Sequence, residues 1–367
     1  MMQKTSWIVL AGLTLGILGL AGCGPKDSAS TGETGSGTGA PTTGGKEMSG
    51  SIDARGSTFV MLFLSRAFDE FKKQEGFQIN YTGGGSSTGI QDVSEGIALF
   101  GASDAPMSDE EQAAAKTKIL NLPLVLGNVA VVYNVPGMES GLMLDPTVLS
   151  EIFRLKITQW NDPKIAALNP GKTLPDSKII VQVRADGSGT TYVFSDFLSK
   201  TDPTWKSEMG TSKKLNWPSG VSAWPKSDGV ATNAKKTPGS IAYLEVSWAK
   251  QSGLSTAMVK NAAGKFVGPE PAGATAAADA MVAQMPADFR QSIVNAPGDA
   301  SYPIASYVFG LIPEDLATKP QGDKVLKAFE FLIGPAQAYA EELDYAKLPP
   351  SVVEKVKAQL AQVATKK

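Results

Sequence analysis

Histidine is absent from this 367-residue chain, and cysteine occurs only once, as Cys23. Without histidine the chain cannot form a Ser-His-Asp triad, and the usual zinc and copper sites, which depend on histidine and cysteine, are excluded as well. A single cysteine also rules out an internal disulfide. The sequence therefore argues against triad hydrolases and against transition-metal enzymes.

Excess charge of either sign is also lacking. The chain has 34 Lys and Arg residues against 36 Asp and Glu residues, a net charge of −2. This balance argues against nucleic acid as a partner and against long-range steering of anions by a basic surface. Hydrophobic residues make up 42% of the chain, which is enough for a sizeable core, and no apolar run after residue 22 is long enough to span a bilayer.

The first 50 residues carry targeting features. One cation, Lys4, precedes an apolar segment that ends at Leu20, a pattern typical of a signal peptide over residues 1–22. Leu20-Ala21-Gly22-Cys23 resembles a bacterial lipobox, which predicts cleavage before Cys23 and attachment of a lipid to its sulfur. Residues 23–50 are rich in Gly, Ser, Thr and Pro and predict a flexible linker. We expect an exported protein, periplasmic or on the cell surface, with a lipid anchor in a bacterial membrane.

The remaining chain exceeds the usual size of one domain, so two domains are expected. Short apolar runs alternate with amphipathic segments, which favours α/β layers with largely parallel sheets. The runs predicted as strands are 77–81, 119–126, 129–135, 178–183, 241–244 and 304–312. The segments predicted as helices are 59–73, 88–97, 108–118, 146–154, 188–200, 324–333 and 351–364. Residues 217–235, rich in Gly, Ser, Pro and Lys, are predicted to form an excursion at the surface.

One stretch carries most of the functional information, Arg184-Ala185-Asp186-Gly187-Ser188-Gly189-Thr190-Thr191. It lies between a predicted strand and a predicted helix. Its glycines allow close approach of the backbone to a ligand, and its hydroxyls lie beside the unpaired N–H groups of a helix N-terminus. Arg184 adds a forked, charged donor suited to phosphate or carboxylate. The stretch therefore predicts an anion site, although a capped turn with an incidental arginine would have the same pattern.

Similar turns occur at other predicted strand ends. Residues 54–59 and 81–89 are small and rich in hydroxyls, and each precedes a helix. Residues 100–106 bring the carboxylate of Asp104 to the end of a strand, where it could also be a helix cap. Because open α/β folds bind ligands at the carboxyl edge of the sheet, these turns are expected to converge on one site.

Two enzyme motifs were weighed against this interpretation. Gly85-Ser86-Ser87-Thr88-Gly89 matches the G-x-S-x-G nucleophile pattern, with Ser87 as the nucleophile, but the chain has no histidine to activate it. Gly171-Lys172-Thr173 resembles the end of a P-loop, but Ala166 replaces the first glycine and no strand leads into the motif. A secreted hydrolase of phosphate esters stays open as the alternative from another functional class.

Several motifs follow one another in order: Ser57-Thr58-Phe59, Gly85-Ser86-Ser87, Gly101-Ala102-Ser103-Asp104-Ala105-Pro106, Trp160-Asn161-Asp162, Leu168-Asn169-Pro170-Gly171, Arg184-Ala185-Asp186-Gly187-Ser188-Gly189-Thr190, Pro238-Gly239-Ser240-Ile241-Ala242-Tyr243 and Leu343-Asp344-Tyr345-Ala346-Lys347-Leu348-Pro349. Together they resemble the phosphate-binding proteins of bacterial phosphate-specific ABC transporters, from about residue 50 to the end of the chain. Val60, Leu99 and Val183 depart from the family's usual pattern, and Val60 affects the path of the first loop.

The resemblance implies a two-lobed periplasmic-binding-protein fold of type II, the venus-flytrap fold, with two crossover hinge segments. Lobe I would comprise residues 51–126 and 302–367, and lobe II residues 127–301. It also implies that the protein is not an enzyme, needs no cofactor or metal, binds inorganic phosphate in the cleft and delivers it to a membrane permease. We expect a monomer.

The resemblance further implies the phosphate ligands. The residues are Thr58, Phe59, Ser86, Asp104, Arg184, Ser188, Gly189 and Thr190. The serines and threonines would donate from hydroxyls and amides, Phe59 and Gly189 from backbone amides, and Arg184 as the charged donor. Asp104 would accept a proton from the ligand, and Asp186 would orient Arg184 through a salt bridge.

Asp104 distinguishes phosphate from its rivals on physical grounds. Monohydrogen phosphate carries a proton that a buried carboxylate can accept, whereas sulfate carries none. With sulfate, Asp104 would be an unpaired acceptor and a like charge, which costs about 1 to 3 kcal/mol or more. Phosphate is therefore predicted, and another oxyanion such as sulfate or molybdate is the closer alternative.

Overall fold

The computed structural model of the protein describes residues 50–366. The predicted signal peptide, Cys23 and the linker up to residue 49 lie outside the described residues. None of the helices within 50–366 combines the length and the apolar character needed to cross a bilayer.

Twelve strands occur in the described residues. They are β1 (Ser51–Gly56), β2 (Gln78–Gly83), β3 (Gly101–Ser103), β4 (Ile119–Asn134), β5 (Met143–Leu144), β6 (Ile180–Arg184), β7 (Ser222–Trp224), β8 (Ser240–Glu245), β9 (Ser255–Thr256), β10 (Met258–Lys260), β11 (Phe266–Val267) and β12 (Ala305–Pro313).

Twelve α-helices accompany them in the same part of the chain. They are α1 (Met61–Glu75), α2 (Ser86–Ser94), α3 (Asp109–Ala114), α4 (Pro146–Phe153), α5 (Pro163–Leu168), α6 (Gly189–Thr201), α7 (Pro203–Glu208), α8 (Lys226–Lys236), α9 (Val246–Gln251), α10 (Pro271–Met281), α11 (Gly322–Ile333) and α12 (Pro350–Ala364).

The main sheet runs in the order β2-β1-β3-β12-β4-β8-β6-β7, and β9 also pairs with β4. The outer pairs β1–β2, β1–β3, β6–β7 and β6–β8 are parallel, whereas β12 and β4 pair antiparallel with each other and with their other neighbours. The predicted α/β fold with mixed sheets is thus confirmed. A separate small sheet has the order β11-β10-β5.

The long strand β4 joins two parts of the main sheet. Its residues 119–128 pair with β12, and its residues 129–134 pair with β8. We call β2, β1, β3, β12 and residues 119–128 the first half-sheet, and residues 129–134, β8, β9, β6 and β7 the second half-sheet. The sequence predicted two strands here, but both apolar runs continue through Gly127 and Asn128 as one buried strand. The lobe boundaries stay a prediction.

The helices cover the sheet with apolar faces. α1 buries Phe63, Leu64 and Phe68 with other apolar residues, and α11 buries Phe329 and Leu332. Phe100, just before β3, packs edge-on against Phe68 and Phe329. These contacts pack α1 and α11 against the first half-sheet, below the loops at its strand ends.

The region 217–235 differs from the prediction. Instead of forming only a surface excursion, it includes β7 and most of α8, which buries Ser227, Val230, Ala231 and Ala234. Its many small and polar residues suggested exposure, but the small residues let α8 pack closely on β8 and β6. This error concealed a residue of the candidate site.

Candidate anion-binding site

The predicted site residues lie on turns at the carboxyl ends of strands from both half-sheets. Thr58 and Phe59 follow β1, Ser86 begins α2 after β2, and Asp104 follows β3. Arg184 ends β6, and Ser188, Gly189 and Thr190 form the start of α6. All eight predicted ligand residues are buried, and side-chain contacts connect most of them.

Asp104 lies at the centre of one group of contacts. Ser57 donates its hydroxyl to Oδ1 of Asp104, and Thr190 donates its hydroxyl to Oδ2 at 3.2 Å. The amide of Asp104 donates to the hydroxyl oxygen of Ser86 at 3.2 Å. Since Thr190 belongs to α6 and Ser57 to the β1–α1 turn, the carboxylate joins the two half-sheets.

The environment of Asp104 disfavours its charge. Burial raises the pKa of its carboxyl to about 6, although hydrogen bonds from Ser57 and Thr190 and the positive charge of Arg184 act in the opposite direction. A carboxylate accepts at about four lone-pair positions. Two hydroxyl donors therefore leave acceptor capacity for a protonated ligand.

Arg184 lies at the centre of a second group of contacts. Its Nε donates to Oδ1 of Asp186 at 2.8 Å and its Nη2 to Oδ2 at 2.6 Å. Its Nη1 donates to the hydroxyl oxygen of Ser227 at 3.3 Å. Three of the five N–H groups that a guanidinium carries are engaged in this way among the described residues. Two remain to bind an anion.

Asp186 holds Arg184 in a fixed position. Burial alone would raise the pKa of Asp186, but the hydrogen bonds and charge of Arg184 and the amide of Lys226 lower it below the usual value. Asp186 is therefore ionised at neutral pH. The salt bridge predicted from the sequence is present, and it fits a supporting position beside the arginine.

Thr58 and Arg184 are connected through Ser227, at the start of α8. The hydroxyls of Thr58 and Ser227 lie 2.8 Å apart, and the amide of Ser227 donates to the Thr58 hydroxyl at 3.2 Å. The carbonyl of Thr58 accepts from the indole of Trp248 at 2.9 Å. The first turn is thus held by α8 and α9, which both pack against β8 of the second half-sheet.

Glycines allow the facing turns to approach each other. A Cβ on Gly189 would lie 2.5 Å from the hydroxyl oxygen of Ser86 and 2.8 Å from Oδ2 of Asp104. A Cβ on Gly85, whose φ is +89°, would lie 2.5 Å from Oδ2 of Asp186. The amide of Ser87 donates to the carbonyl of Gly187 at 3.1 Å. Side chains at these glycines would push the turns apart.

Besides Thr190, whose hydroxyl donates to Asp104, two further predicted donors already have partners within the protein. The amide of Phe59 donates to the hydroxyl oxygen of Ser57 at 3.0 Å. The amide of Ser188 donates to the carbonyl of Lys213 at 2.9 Å, and its hydroxyl oxygen caps α6 by accepting from Thr191. The hydroxyl proton of Ser188 is then the group best placed to serve a ligand.

Sequence reasoning missed the contacts of Ser57 and Ser227. Ser57 belongs to the motif Ser57-Thr58-Phe59, and its place before Thr58 was the only signal. Ser227 was hidden in the region predicted as a surface excursion. Of the departures from the family pattern, Val60 is buried at the residue before α1, which begins at Met61, and makes no side-chain capping hydrogen bond, and Val183 packs into the core. Neither displaces a predicted ligand residue.

Comparisons with known proteins identify similar chains. The family model described as a PBP superfamily domain matches residues 29–333. The phosphate-binding protein PstS of Xylella fastidiosa (strain Temecula1) is 35% identical over 345 residues, which cover 93% of this chain and 94% of the relative. The phosphate-binding protein PstS of Pasteurella multocida (strain Pm70) is 37% identical over 310 residues, 84% of this chain and 89% of the relative.

Solved structures share the fold at lower identity. A high-affinity periplasmic phosphate-binding protein, PfluDING, bound with phosphate, has a TM-score of 0.68 at 21% identity and covers 84% of this chain and 93% of that chain. A phosphate-binding protein from Stenotrophomonas maltophilia has a TM-score of 0.64 at 18% identity, with coverages of 84% and 94%. These likenesses support the fold predicted from the sequence.

Proposed function

The chain belongs to the family of PstS phosphate-binding proteins, within the PBP superfamily, and from this premise we propose that it binds inorganic phosphate between the two half-sheets and delivers it to the permease of a phosphate ABC transporter. The ligand residues we propose are Thr58, Phe59, Ser86, Asp104, Arg184, Ser188, Gly189 and Thr190. Asp186 supports Arg184.

The surroundings of the site suit a dehydrated oxyanion. Such a ligand has many lone pairs, and neutral hydroxyls and amides together with one arginine can meet them without an excess of positive charge. Hydroxyls of Ser86 and Thr190 lie beside Asp104, and Arg184 has N–H groups to spare. The site therefore supplies donors from both half-sheets and one acceptor.

The observation that carries the proposal is the buried carboxylate of Asp104 among anion donors. A carboxylate in an anion site is unfavourable unless the anion brings a proton for it. Monohydrogen phosphate does so and sulfate does not, so the pairing favours phosphate, by roughly 10⁴ to 10⁵ in sites built on such hydrogen bonds. A carboxylate has no comparable use in a site for sulfate or molybdate.

The alternative of a phosphate-ester hydrolase has less support. Ser87, the only nucleophile suggested by a motif, lies on α2 with its amide bonded to Gly187 and its side chain packed against that glycine. The relatives identified are solute-binding proteins rather than enzymes. The chain has no histidine to activate the serine.

Calorimetric titration of the purified, anion-free protein tests the proposal. We expect one phosphate per chain and no detectable heat with sulfate at neutral pH. Equal responses to the two anions would contradict the phosphate assignment. Release of phosphate from a generic phosphate ester would instead favour the hydrolase. Delivery is tested by phosphate uptake in bacterial cells that carry the cognate permease, with and without this chain, and equal uptake would contradict it.

Gly189→Ala is expected to weaken phosphate binding by about tenfold to a hundredfold. The new methyl group would meet Ser86 and Asp104 at less than van der Waals distance and keep the half-sheets from closing on the ligand. Calorimetry measures the affinity, and thermal unfolding checks that the variant is folded. Gly229→Ala is the matched control, because a Cβ there meets its nearest atom at 3.6 Å. Wild-type affinity in Gly189→Ala would show that the close approach is not needed.

Closure of the two half-sheets on phosphate follows from the arrangement of donors. A ligand favours a closed state only through contacts that it makes there and lacks in the open state. Arg184 and Thr190 lie at strand ends of the second half-sheet, and Ser86 and Asp104 lie at strand ends of the first. One anion can therefore contact both groups only when the two half-sheets are close together. We propose that this closed form is the one recognised by the permease.

We also propose that the chain is exported and anchored through a lipid on Cys23. The lipobox-like residues 20–23, the single cysteine and the polar linker that follows support this. In bacterial cells fed a labelled fatty acid, the wild-type chain is expected to carry the label and to sediment with membranes, and Cys23→Ser to do neither. An unlabelled wild-type chain would contradict the anchor.

A further inference from the structure

Ser57 lies between two groups of the proposed site. Its side chain is buried, donates to Oδ1 of Asp104 and accepts from the amide of Phe59 at 3.0 Å. Ser57 lies in the turn that follows β1, and Asp104 lies in the turn that follows β3. The hydroxyl therefore links the first turn to the carboxylate.

The backbone of Ser57 is held on both sides. Its amide donates to the carbonyl of Ala102 at 2.8 Å, and its carbonyl accepts from the hydroxyl of Tyr81 at 2.8 Å. With the Phe59 amide on its oxygen, the Ser57 side chain has little freedom. A donor fixed in this way can orient the group it contacts without reorganisation.

We infer that Ser57 is a specificity-determining positioning residue, whose hydroxyl holds Oδ1 of Asp104 and keeps that carboxylate an acceptor for the protonated oxygen of phosphate. The inference rests on the proposed function. A hydroxyl that donates to a carboxylate stabilises the ionised form. Only the ionised form distinguishes an anion that brings a proton from one that does not.

Among the groups around Asp104, Ser57 contributes most to keeping the carboxylate ionised. Burial raises the pKa of Asp104, and the hydrogen bond from Ser57 is the strongest of the influences that lower it, ahead of the charge of Arg184 and the hydroxyls of Thr190 and Ser86. Burial, together with the charge of Asp104, raises the pKa of the phenols of Tyr81 and Tyr345, so both are neutral. Loss of the Ser57 hydroxyl therefore favours protonation of Asp104.

A protonated Asp104 changes the selectivity of the site. It becomes a donor, and a sulfate oxygen can accept from it as well as a phosphate oxygen can. We therefore expect Ser57→Ala to bind sulfate at a higher pH than the wild type does. The preference for phosphate over sulfate at neutral pH is expected to fall about tenfold.

The test is calorimetric titration of the full chain with phosphate and with sulfate at pH values from about 5 to 8, for the wild type, Ser57→Ala and Ser57→Cys. The ratio of the sulfate dissociation constant to the phosphate dissociation constant is expected to fall in Ser57→Ala. In Ser57→Cys, which keeps a weak donor, the ratio is expected to lie between those of the wild type and Ser57→Ala. Ser301→Ala is the control, because the buried Ser301 hydroxyl donates to the carbonyl of Pro297 at 2.7 Å rather than to a residue of the proposed site. Its ratio is expected to equal that of the wild type.

The outcomes separate the inference from the proposed function. An equal loss of affinity for both anions in Ser57→Ala would mean that Ser57 only supports the fold, and a wild-type ratio in both Ser57 variants would also contradict the inference. Failure of the wild type to bind phosphate would instead overturn the proposed function. Thermal unfolding of each variant confirms that the titrated protein is folded.

Discussion

Arg184→Ala is expected to weaken phosphate binding by about two to three orders of magnitude. Arg184 is the cation of the proposed site, its side chain is 2% exposed, and two of its N–H groups have no other partner among the described residues. Its removal takes away a charge-assisted donor and leaves the half-buried carboxylate of Asp186 without its partner near the proposed anion. Both effects act against the bound state.

Arg184→Lys separates charge from geometry. A lysine keeps the positive charge, but it cannot form two hydrogen bonds to Asp186 and still donate to the ligand with further N–H groups. The phosphate affinity of Arg184→Lys is therefore expected to lie between those of the wild type and Arg184→Ala. Calorimetry with phosphate measures all three. Arg66→Ala is the matched control, because Arg66 is exposed on α1 and pairs with Glu70. Affinity within threefold of wild type in Arg184→Ala would contradict the proposed site.

Asp104→Asn is expected to abolish most of the preference for phosphate over sulfate, with a fall of at least about 100-fold in the ratio of affinities. The asparagine NH2 group donates where the carboxylate oxygen accepts. The variant therefore loses the hydrogen bond from the phosphate proton and can donate a hydrogen bond to a sulfate oxygen instead. The variant also removes a like charge next to the ligand. Calorimetric titrations with both anions measure the ratio, and an unchanged preference would show that Asp104 is not the discriminating group.

The pH dependence of sulfate binding reports separately on the protonation of Asp104. Sulfate does not titrate near neutral pH, so a change in its affinity reports on the protein. Since the pKa of Asp104 is raised to about 6, the wild type is expected to bind sulfate increasingly as the pH falls through 6. Asp104→Asn is expected to bind sulfate with little dependence on pH. A wild-type profile that is flat between pH 5 and 8 would contradict the assignment.

The same raised pKa affects the stability of the anion-free protein. The pKa of Asp104 is about 6 in the folded state, against the usual value of 3.8 that applies to the unfolded state. The folded state therefore binds more protons than the unfolded state between about pH 4 and pH 6. This group therefore makes the free energy of unfolding fall as the pH rises through that window. In Asp104→Asn the corresponding contribution is absent.

Local sequence patterns were sufficient for the turns that carry the site. The stretch from Arg184 to Thr191 has an apolar strand before it and an amphipathic helix after it, and the structure places Arg184 at the end of β6 and Ser188 at the cap of α6. The salt bridge to Asp186, which the family resemblance implied, joins two residues that are neighbours along this stretch. Such features depend on neighbours in the chain, so the sequence predicts them well.

Contacts between distant segments could not be predicted in the same way. Ser227 meets Thr58 across 169 residues, and Ser57 meets Asp104 across 47 residues. No local pattern marks either serine, because each acts through a partner brought near by the sheet. The prediction divided β4 at Gly127 and Asn128, which interrupt the apolar pattern. In the structure the strand continues through both residues while its partner changes from β12 to β8, and no local pattern indicates that continuity.

A crystal structure of the purified protein grown with phosphate tests the central claim most directly. The account predicts one tetrahedral anion in contact with Asp104 through a short hydrogen bond, with the guanidinium of Arg184, and with hydroxyls of Ser86, Ser188 and Thr190. An anion bound to only one half-sheet, or bound away from Asp104, would contradict the account.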